Sequence, residues 1–119
     1  MKKIGIIGSR RRDNFTDLNL VKIAFQKIYQ EGDWIISGGC PKGGDRFAEI
    51  IAKENGIPII IFYADWKHKG KCAGFIRNKF IAQESDILIA CVANDRTGGT
   101  ENTINHFTKI KPNNQIILC

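Results

Sequence analysis

The sequence alternates short apolar runs with longer segments of helical periodicity, and this alternation constrains the fold more than any other feature. The apolar runs predict five strands, at residues 3–8, 34–37, 57–63, 86–92 and 115–119. Each run is continuously apolar rather than alternating, which is typical of a parallel sheet covered on both faces. We therefore predict an α/β fold: a single Rossmann-like three-layer sandwich with a mainly parallel five-stranded sheet, spanning residues 1–119 as one domain.

The segments between the strands predict four helices, at residues 15–30, 45–55, 72–85 and 99–110. In the first of them, apolar residues such as Leu18 and Val21 recur at spacings of three and four, which places them on one helix face. Asn14 or Thr16 is expected to cap the start of this helix, and Gly32 is expected to end it.

The composition, with 43% hydrophobic and 25% charged residues, is typical of a globular domain. No apolar run approaches the roughly 20 residues needed to cross a membrane, and the N-terminal apolar run is too short for a secretory signal. We expect a cytoplasmic protein with no membrane partner. The four cysteines lack metal-ligand spacing, so we expect free thiols and no metal; Cys40 stands out because it lies in a glycine-rich loop.

The net charge of +6 favours anionic partners. The charge alone does not distinguish the phosphates of a small molecule from those of a nucleic acid. A basic, solvated surface without any partner explains it equally well.

The segments after the strands are polar, basic and rich in glycine, whereas the loops at the opposite edge of the predicted sheet are short and plain. Because ligands of such sheets bind at the carboxyl ends of the strands, we expect the site at this edge. The candidate ligand-binding residues there are Gly8, Ser9, Arg10, Ser37, Gly38, Gly39, Gly43, Asp45, Asp65, Trp66, Gly98, Gly99 and Thr100.

Two glycine-rich segments, "SGGCPKGGD" at residues 37–45 and "DRTGGT" at residues 95–100, each precede a predicted helix. Glycine lets backbone N–H groups turn toward an anion, and the helix N-terminus adds partial positive charge. Tight turns and helix caps are the alternative explanation for either segment alone. Two such segments at one sheet edge favour a phosphorylated ligand.

Several charged residues near this edge have competing interpretations. Arg10 lies closest to the end of the first strand and is expected to bind phosphate, whereas Arg11 and Arg12 are expected to form a solvated basic turn. The mid-helix residues Arg77 and Asn78 are predicted, on spacing alone, to lie on the surface.

The remaining polar and aromatic candidates are also ambiguous. Asp45 and Glu101 occupy first helical turns, where a carboxylate is expected from the helix dipole alone. Trp66, next to Asp65, suits stacking on a base, but a tryptophan in the core is equally common.

Four motifs in order, "GSR", "SGGCPKGGDRFAEIIAKENGIP", "ADWKHKGKCAGFIRN" and "SDILIA…GGT", together resemble the SLOG superfamily. Within it, the chain is most similar to the small bacterial and phage proteins related to YspA and YpsA, and the resemblance covers nearly the whole chain. It implies a Rossmann-like fold that binds or processes nucleotides and nucleotide-derived ligands. It also implies ligand-binding roles for Arg77 and Asn78, and a homodimer that pairs through helices.

Two relatives within this superfamily imply alternative functions. LOG-type phosphoribohydrolases cleave the N-glycosidic bond of nucleoside monophosphates, and Arg77 matches their arginine. Their catalytic glutamate would fall at Thr103, which cannot act as an acid or base, and Glu101 is displaced along the helix from that position. The catalytic group is therefore unknown, with Arg77 and Glu101 as candidates.

DNA-processing protein A, the second relative, binds single-stranded DNA and resembles this chain at residues 37–45 and 77–78. Single-strand binders present aromatic stacking platforms, and only Tyr63 and Trp66 are suitably placed in the sequence. The favoured hypothesis is binding of a nucleotide or ADP-ribose-like ligand, as a sensor, a sequestering protein or a processing enzyme, with no cofactor. Phosphoribohydrolase activity and single-stranded nucleic-acid binding are the alternatives.

Overall fold

The computed structural model describes all residues, 1–119, and places five strands in one sheet. The strands follow the order β3-β2-β1-β4-β5, and every neighbouring pair is parallel. This arrangement confirms the predicted Rossmann-like α/β fold with a five-stranded sheet. The strands are β1 (Lys3–Gly8), β2 (Trp34–Ser37), β3 (Ile59–Ile61), β4 (Ile87–Cys91) and β5 (Ile116–Leu118).

Helices cover both faces of the sheet and complete the three layers. The helices are α1 (Phe15–Ile28), α2 (Gly44–Asn55), α3 (Trp66–Lys69), α4 (Ala73–Glu84) and α5 (Gly99–Ile110). Helices α1 and α2 bury a core of 14 residues on one face, whereas α4 and α5 bury a core of eight residues on the other. None of these helices combines the length and the apolar character needed to cross a membrane.

The strand order fixes where a ligand is expected. From β1 the chain moves outward to β2 and β3, and it then returns to β4 on the other side of β1. The crossover directions therefore diverge at the boundary between β1 and β4, where Gly8 at the end of β1 is in register with Cys91 at the end of β4. In open α/β sheets this switch point leaves a crevice outside the carboxyl ends of the strands.

Several predicted boundaries differ from the structure. Asn14 caps α1, since its side chain accepts the backbone N–H of Asp17 at 2.8 Å, but the helix already ends at Ile28, because Tyr29 adopts an extended conformation. The strand predicted at residues 57–63 shortens to Ile59–Ile61 at the sheet edge, where it has only β2 as a neighbour. The predicted loop after it contains α3 and a 3-10 turn at Gly70–Cys72.

Candidate functional site

A cavity of about 310 Å³ opens near the switch point, between the end of β1, the loop after β2 and the starts of α4 and α5. This volume lies at the lower end of the range of small-molecule sites, roughly 300–1,000 Å³. Only three of its 15 lining residues are hydrophobic, so the cavity suits a polar or charged ligand.

The cavity brings together nine of the residues predicted to bind ligand, from four separate parts of the chain. These are Gly8, Ser9, Arg10, Asp45, Arg77, Asn78, Gly98, Gly99 and Thr100. Six predicted residues lie outside its lining: Ser37, Gly38, Gly39, Gly43, Asp65 and Trp66. Among the further lining residues are Cys40, Arg11, Thr97 and Thr103.

The N-terminus of α5 forms one wall of the cavity and is free to donate hydrogen bonds. Gly98, which precedes the helix with a φ of 103°, provides no side-chain cap. The backbone N–H groups of Gly99, Thr100 and Glu101 make no hydrogen bond within the protein. Free first-turn amides together with the helix dipole form an anion-binding group.

Two arginines from the loop after β1 line the same cavity. Arg10 is exposed and makes no hydrogen bond or ion pair within the protein. Arg11 donates from both terminal nitrogens to the Asp95 carboxylate at 2.8 Å, and it reaches the Thr97 hydroxyl at 3.0 Å. These hydrogen bonds hold the pKa of Asp95 below its ordinary value.

The prediction of a solvated basic turn is correct for Arg11, whose side chain is exposed, and wrong for Arg12. Arg11 links the loop after β1 to the loop after β4, as its pairing with Asp95 shows. Arg12 is half-buried, pairs with Asp17 at 2.9 Å and donates to the Val92 carbonyl at 3.0 Å. Arg12 therefore fixes the start of α1 to the end of β4, and the turn contributes to the structure of the site.

The surface positions predicted for Arg77 and Asn78 from spacing are also wrong. Asn78 is only 5% exposed, and its amide donates to the Gly99 carbonyl at 3.2 Å. Arg77 is partly buried, donates from Nε to the side-chain oxygen Oδ1 of Asn78 at 2.9 Å, and donates from Nη1 to the backbone carbonyl of Gly38. The pair therefore ties the loop after β2 to the start of α5 across the cavity.

Asp45 is the only carboxylate that lines the cavity. Its side chain is buried, and Oδ2 accepts the backbone N–H of Cys40 at 3.0 Å. Burial raises the pKa of Asp45, while the hydrogen bond from Cys40 and the positive charge of Arg77 partly oppose the increase. The cavity therefore contains one buried acid beside its arginines.

The backbone amides of the glycine loop donate to the protein's own side chains. The Gly39 N–H donates to the Ser37 hydroxyl at 3.3 Å. The Gly43 N–H donates to the Asp13 carboxylate at 2.7 Å, and Arg46 donates to the same oxygen at 2.8 Å. Together these bonds and the Asp45 contact hold the loop in place. A direct role of these amides in binding ligand stays a prediction.

Close packing accounts for several of the loop glycines. A Cβ on Gly38 would lie 2.7 Å from Asp45 and from Arg77. Gly39 has a φ of 74°, and a Cβ there would lie 2.5 Å from the Tyr63 ring. Gly44 packs its backbone against β1, where a Cβ would come within 2.1 Å of a main-chain carbon. The backbone contacts of Gly44 and the positive φ of Gly39 favour glycine even without a ligand, whereas at Gly38 the nearest atoms are the ends of two side chains.

Asp65 and Trp66 lie beyond the cavity. Asp65 caps the short helix α3, accepting the backbone N–H of His68 at 3.2 Å, and also contacts the His68 ring at 2.9 Å. Trp66 is 55% exposed, so it is not part of the core. Its ring lies beside Gly74, at the start of α4.

The two residues of α5 that bear on catalysis have different surroundings. Glu101 pairs with Arg96 through contacts of 2.8 and 2.9 Å and does not line the cavity. Thr103 does line it, and its hydroxyl donates to the Gly99 carbonyl at 3.2 Å. The position that the resemblance aligns with the phosphoribohydrolase glutamate is therefore a threonine whose hydroxyl bonds to the backbone of its own helix.

No protein-family model and no curated protein matches the sequence. A solved structure, that of the molybdenum cofactor binding protein from the phototrophic bacterium Rippkaea orientalis, is similar to this chain with a TM-score of 0.74 and 25% sequence identity. The match covers 98% of this chain and 75% of that chain. Along nearly its whole length, therefore, this chain is similar to a protein that binds a small-molecule cofactor.

Proposed function

We propose that this protein binds a small phosphate-bearing ligand, a nucleotide or a nucleotide-derived molecule of the ADP-ribose type, in the switch-point cavity. One observation carries the proposal: the uncapped N-terminus of α5 and three arginines line the same polar cavity. Free amides and guanidinium groups are the donors that proteins use for phosphate oxygens.

The contacts within the site assign different tasks to its residues. The amides of Gly99 and Thr100 bind phosphate oxygens, and Arg10, which has no protein partner, adds a bidentate contact. Asn78 positions the start of α5 through its bond to Gly99. Arg77 is already held by the Gly38 carbonyl and contributes mainly charge.

We propose membership of the SLOG superfamily, near the YspA- and YpsA-related proteins. The support is spatial, because the resemblance rests on motifs that are far apart in sequence. "GSR" at residues 8–10, Asp45 of the glycine loop, the pair Arg77 and Asn78, and "GGT" at residues 98–100 all contribute to one cavity.

Binding without hydrolysis, as a sensor or a sequestering protein, fits the cavity better than processing of the ligand. A phosphoribohydrolase needs a carboxylate to support the sugar cation that forms as the glycosidic bond breaks. Thr103 lines the cavity where that carboxylate would come from α5, and Glu101 is paired with Arg96 outside the lining. The remaining carboxylate, Asp45, is already engaged by the glycine loop.

The molybdenum cofactor is a second candidate ligand, favoured by the similarity to the protein from Rippkaea orientalis. It is a pterin that carries phosphate, so it would use the same amides and arginines as a nucleotide. The two candidates therefore differ in the heterocycle, and a ligand panel must include both.

We also propose that the protein forms a homodimer through helices. Support comes from α1, whose outer face leaves Leu20 and Ile23 exposed by 42% and 52%, away from the cavity. Sedimentation should give the mass of a dimer, and Ile23→Lys should give a monomer. A monomeric mass at all concentrations would contradict this proposal.

Thermal-shift measurements with AMP, ADP, ADP-ribose and the molybdenum cofactor, followed by calorimetry, test ligand binding. We expect one-to-one binding of at least one compound, weakened about tenfold or more in Arg10→Gln, because that change removes a charge-assisted contact. Lys53→Gln, at an exposed position of α2, is the matched control and should bind normally. Chromatography of the incubated ligand shows whether it is also turned over.

Absence of binding across the panel would contradict the proposal. Equal losses in the Arg10 and Lys53 variants would also contradict it, since they would show only a general effect of charge.

A further inference from the structure

Two of the four cysteines stand side by side at the ends of β4 and β5. The last register pair of these strands joins Ala90 to Leu118, and one further bond extends it, from the Cys119 N–H to the Ala90 carbonyl at 2.9 Å. Cys91 and Cys119, the next residue of each strand, are therefore lateral neighbours. Adjacent strands lie roughly 4.7–4.9 Å apart, and disulfides join residues whose Cα atoms are about 4.4–6.8 Å apart.

The side chains of both cysteines lie on the same face of the sheet. Cys91 is completely buried in the core that α1 and α2 cover, and Cys119 packs against that core. Ala90, one residue earlier, belongs to the core on the opposite face, as the alternation of side chains along a strand requires. The two thiols therefore occupy one layer of the fold.

The other two cysteines have no such neighbour. Cys40 lies in the loop after β2, and β1 separates β2 from β4 in the sheet. Cys72 is exposed and precedes α4, which covers the opposite face. Strand register therefore supports a single pairing, between Cys91 and Cys119.

The two thiols differ in their access to solvent, and this difference sets the order in which they can react. Cys119 is partly exposed, and its Sγ lies 3.9 Å from the Leu20 carbonyl oxygen. Cys91 has no exposed surface. A dissolved reagent can therefore reach Cys119 but not Cys91.

Arg12 provides positive charge beside both thiols. Its guanidinium donates to the backbone carbonyls of Val92 and Cys119, at the ends of the two strands. Burial raises the pKa of both thiols, that of Cys91 to about 11, and the charge of Arg12 opposes the increase at each of them. A cation at this position favours the thiolate, which is the form that attacks disulfides.

We infer that Cys91 and Cys119 form a reversible disulfide by exchange with a low-molecular-weight disulfide, such as oxidised glutathione. The Cys119 thiolate attacks one sulfur of the reagent, whose S–S bond breaks and releases one thiolate. The Cys91 thiolate then attacks Cys119 Sγ in the mixed disulfide and releases the second thiolate. The two protein thiols lose two electrons to the reagent, and their two protons pass to the released thiolates.

The position of β5 allows the sulfur atoms to approach each other. β5 is an edge strand whose single neighbour is β4, so it can shift without disturbing another strand. The bond closes residues 91–119 into a loop that contains α5 and fastens the edge strand to the sheet. The inference goes beyond the proposed function, since neither cysteine lines the cavity.

Intact-mass measurement after alkylation tests the inference in Cys40→Ser/Cys72→Ser, which leaves only the paired thiols. After incubation with oxidised glutathione, the denatured protein should take up no N-ethylmaleimide and should be lighter by two hydrogen atoms. After dithiothreitol treatment it should take up two alkyl groups. In mixtures of reduced and oxidised glutathione, the disulfide-bonded fraction should reach the same value from either direction.

Two substitutions in that background separate the two steps. Cys91→Ala should stop the reaction at the mixed disulfide, so that the protein carries one glutathione on Cys119. Cys119→Ala should prevent both steps, because the remaining thiol is buried, and the protein should carry neither glutathione nor a disulfide. Circular dichroism checks that each variant is folded.

Four results would overturn the inference. They are two alkylatable thiols at every ratio of oxidised to reduced glutathione, a glutathione adduct that persists on Cys119 while Cys91 is present, a glutathione adduct on Cys91 in folded Cys119→Ala, and a disulfide that joins two chains on a non-reducing gel. None of these measurements uses a cavity ligand, so failure here is distinguishable from failure of the proposed function.

Discussion

Gly44→Ala tests whether the glycine before α2 is required for packing rather than for ligand approach. A Cβ at this position would lie 2.1, 2.2 and 2.4 Å from main-chain atoms of Ile7 and Gly8. Ordinary contacts are at least about 3.4 Å, so the start of α2 would have to retreat from β1 by roughly 1.3 Å. No side-chain rotation relieves the clash, because backbone atoms lie on both sides of it.

The loss of stability caused by this shift depends on the α2 side chains that pack in the core. Phe47, Ala48 and Ile51 are all 1% exposed or less. A gap of 0.5–1 Å removes about a quarter to a half of the van der Waals attraction between two packed atoms. Overpacking of a core typically costs about 1–3 kcal/mol. Because the obstacle is backbone, we expect a loss of about 3 kcal/mol, or about 12 °C in Tm.

Gly99→Ala is the matched control, since Gly99 occupies the same first position in α5 that Gly44 occupies in α2. A Cβ there meets only the Asn78 amide nitrogen, at 3.7 Å. Stability should therefore be unchanged or up to about 1 kcal/mol higher, because alanine restricts the unfolded chain. Ligand affinity should fall, because the methyl group enters the cavity wall that we propose to bind phosphate.

Urea unfolding followed by circular dichroism measures both variants, and calorimetry with the best ligand of the panel measures affinity. Stability of Gly44→Ala within about 0.5 kcal/mol of the unsubstituted protein would refute the packing argument. Equal destabilisation by the two substitutions would refute the distinction between the two helix starts.

Three further predictions concern ionisation and turnover. Burial raises the pKa of Asp45, so affinity for ADP-ribose, measured by calorimetry, should increase as the pH falls from neutral toward this raised pKa and Asp45 gains a proton. Asp45→Asn should abolish this dependence. Because the resemblance to the phosphoribohydrolases places Thr103 where their catalytic glutamate would fall, AMP should yield no ribose 5-phosphate in a release assay. Multiple turnovers that are lost in Arg77→Ala would contradict this. For Asp33, burial alone raises the pKa, but hydrogen bonds from Lys2 and Gln30 lower it overall. The charged Asp33 therefore stabilises the folded state above about pH 3.8, and this stabilisation is lost as the pH falls through the lower folded-state pKa. In Asp33→Asn, the free energy of unfolding should depend less on pH in this acidic range.

The parts of the fold that depend on local pattern were predictable from the sequence. The central strands are buried on both faces, so their apolar runs mark them clearly, and Lys3–Gly8 and Trp34–Ser37 match the predicted bounds. Helix α3 was missed because it has only four residues and no apolar stripe; the Asp65 cap starts it. The length of β3 was overestimated because an apolar run in the sequence does not show where pairing with the neighbouring strand ends.

The lining of the cavity was predictable where it follows from the ends of strands, as for Arg10 and Gly99; their role in binding stays a prediction. Arg77 and Asn78 were predicted to lie on the surface because the spacing of apolar residues along a helix shows only which side packs against a core. Their partners are backbone carbonyls 39 and 21 residues away in the chain. The pairing of Arg11 with Asp95 was missed for the same reason, since Asp95 is 84 residues away. Only the family resemblance indicated roles for the α4 pair.

The central position of β1 has a consequence for how the protein forms during synthesis. The ribosome makes β1 first, yet its register partner on one side, β4, ends at Cys91. At 5–20 residues per second, the roughly 80 residues in between require on the order of 4–16 s. Throughout that interval β1 can pair only with β2, and its other edge stays open to water, chaperones or neighbouring nascent chains. A translational pause before Cys91 would prolong this exposure, which ends only when β4 has left the ribosome and paired with β1.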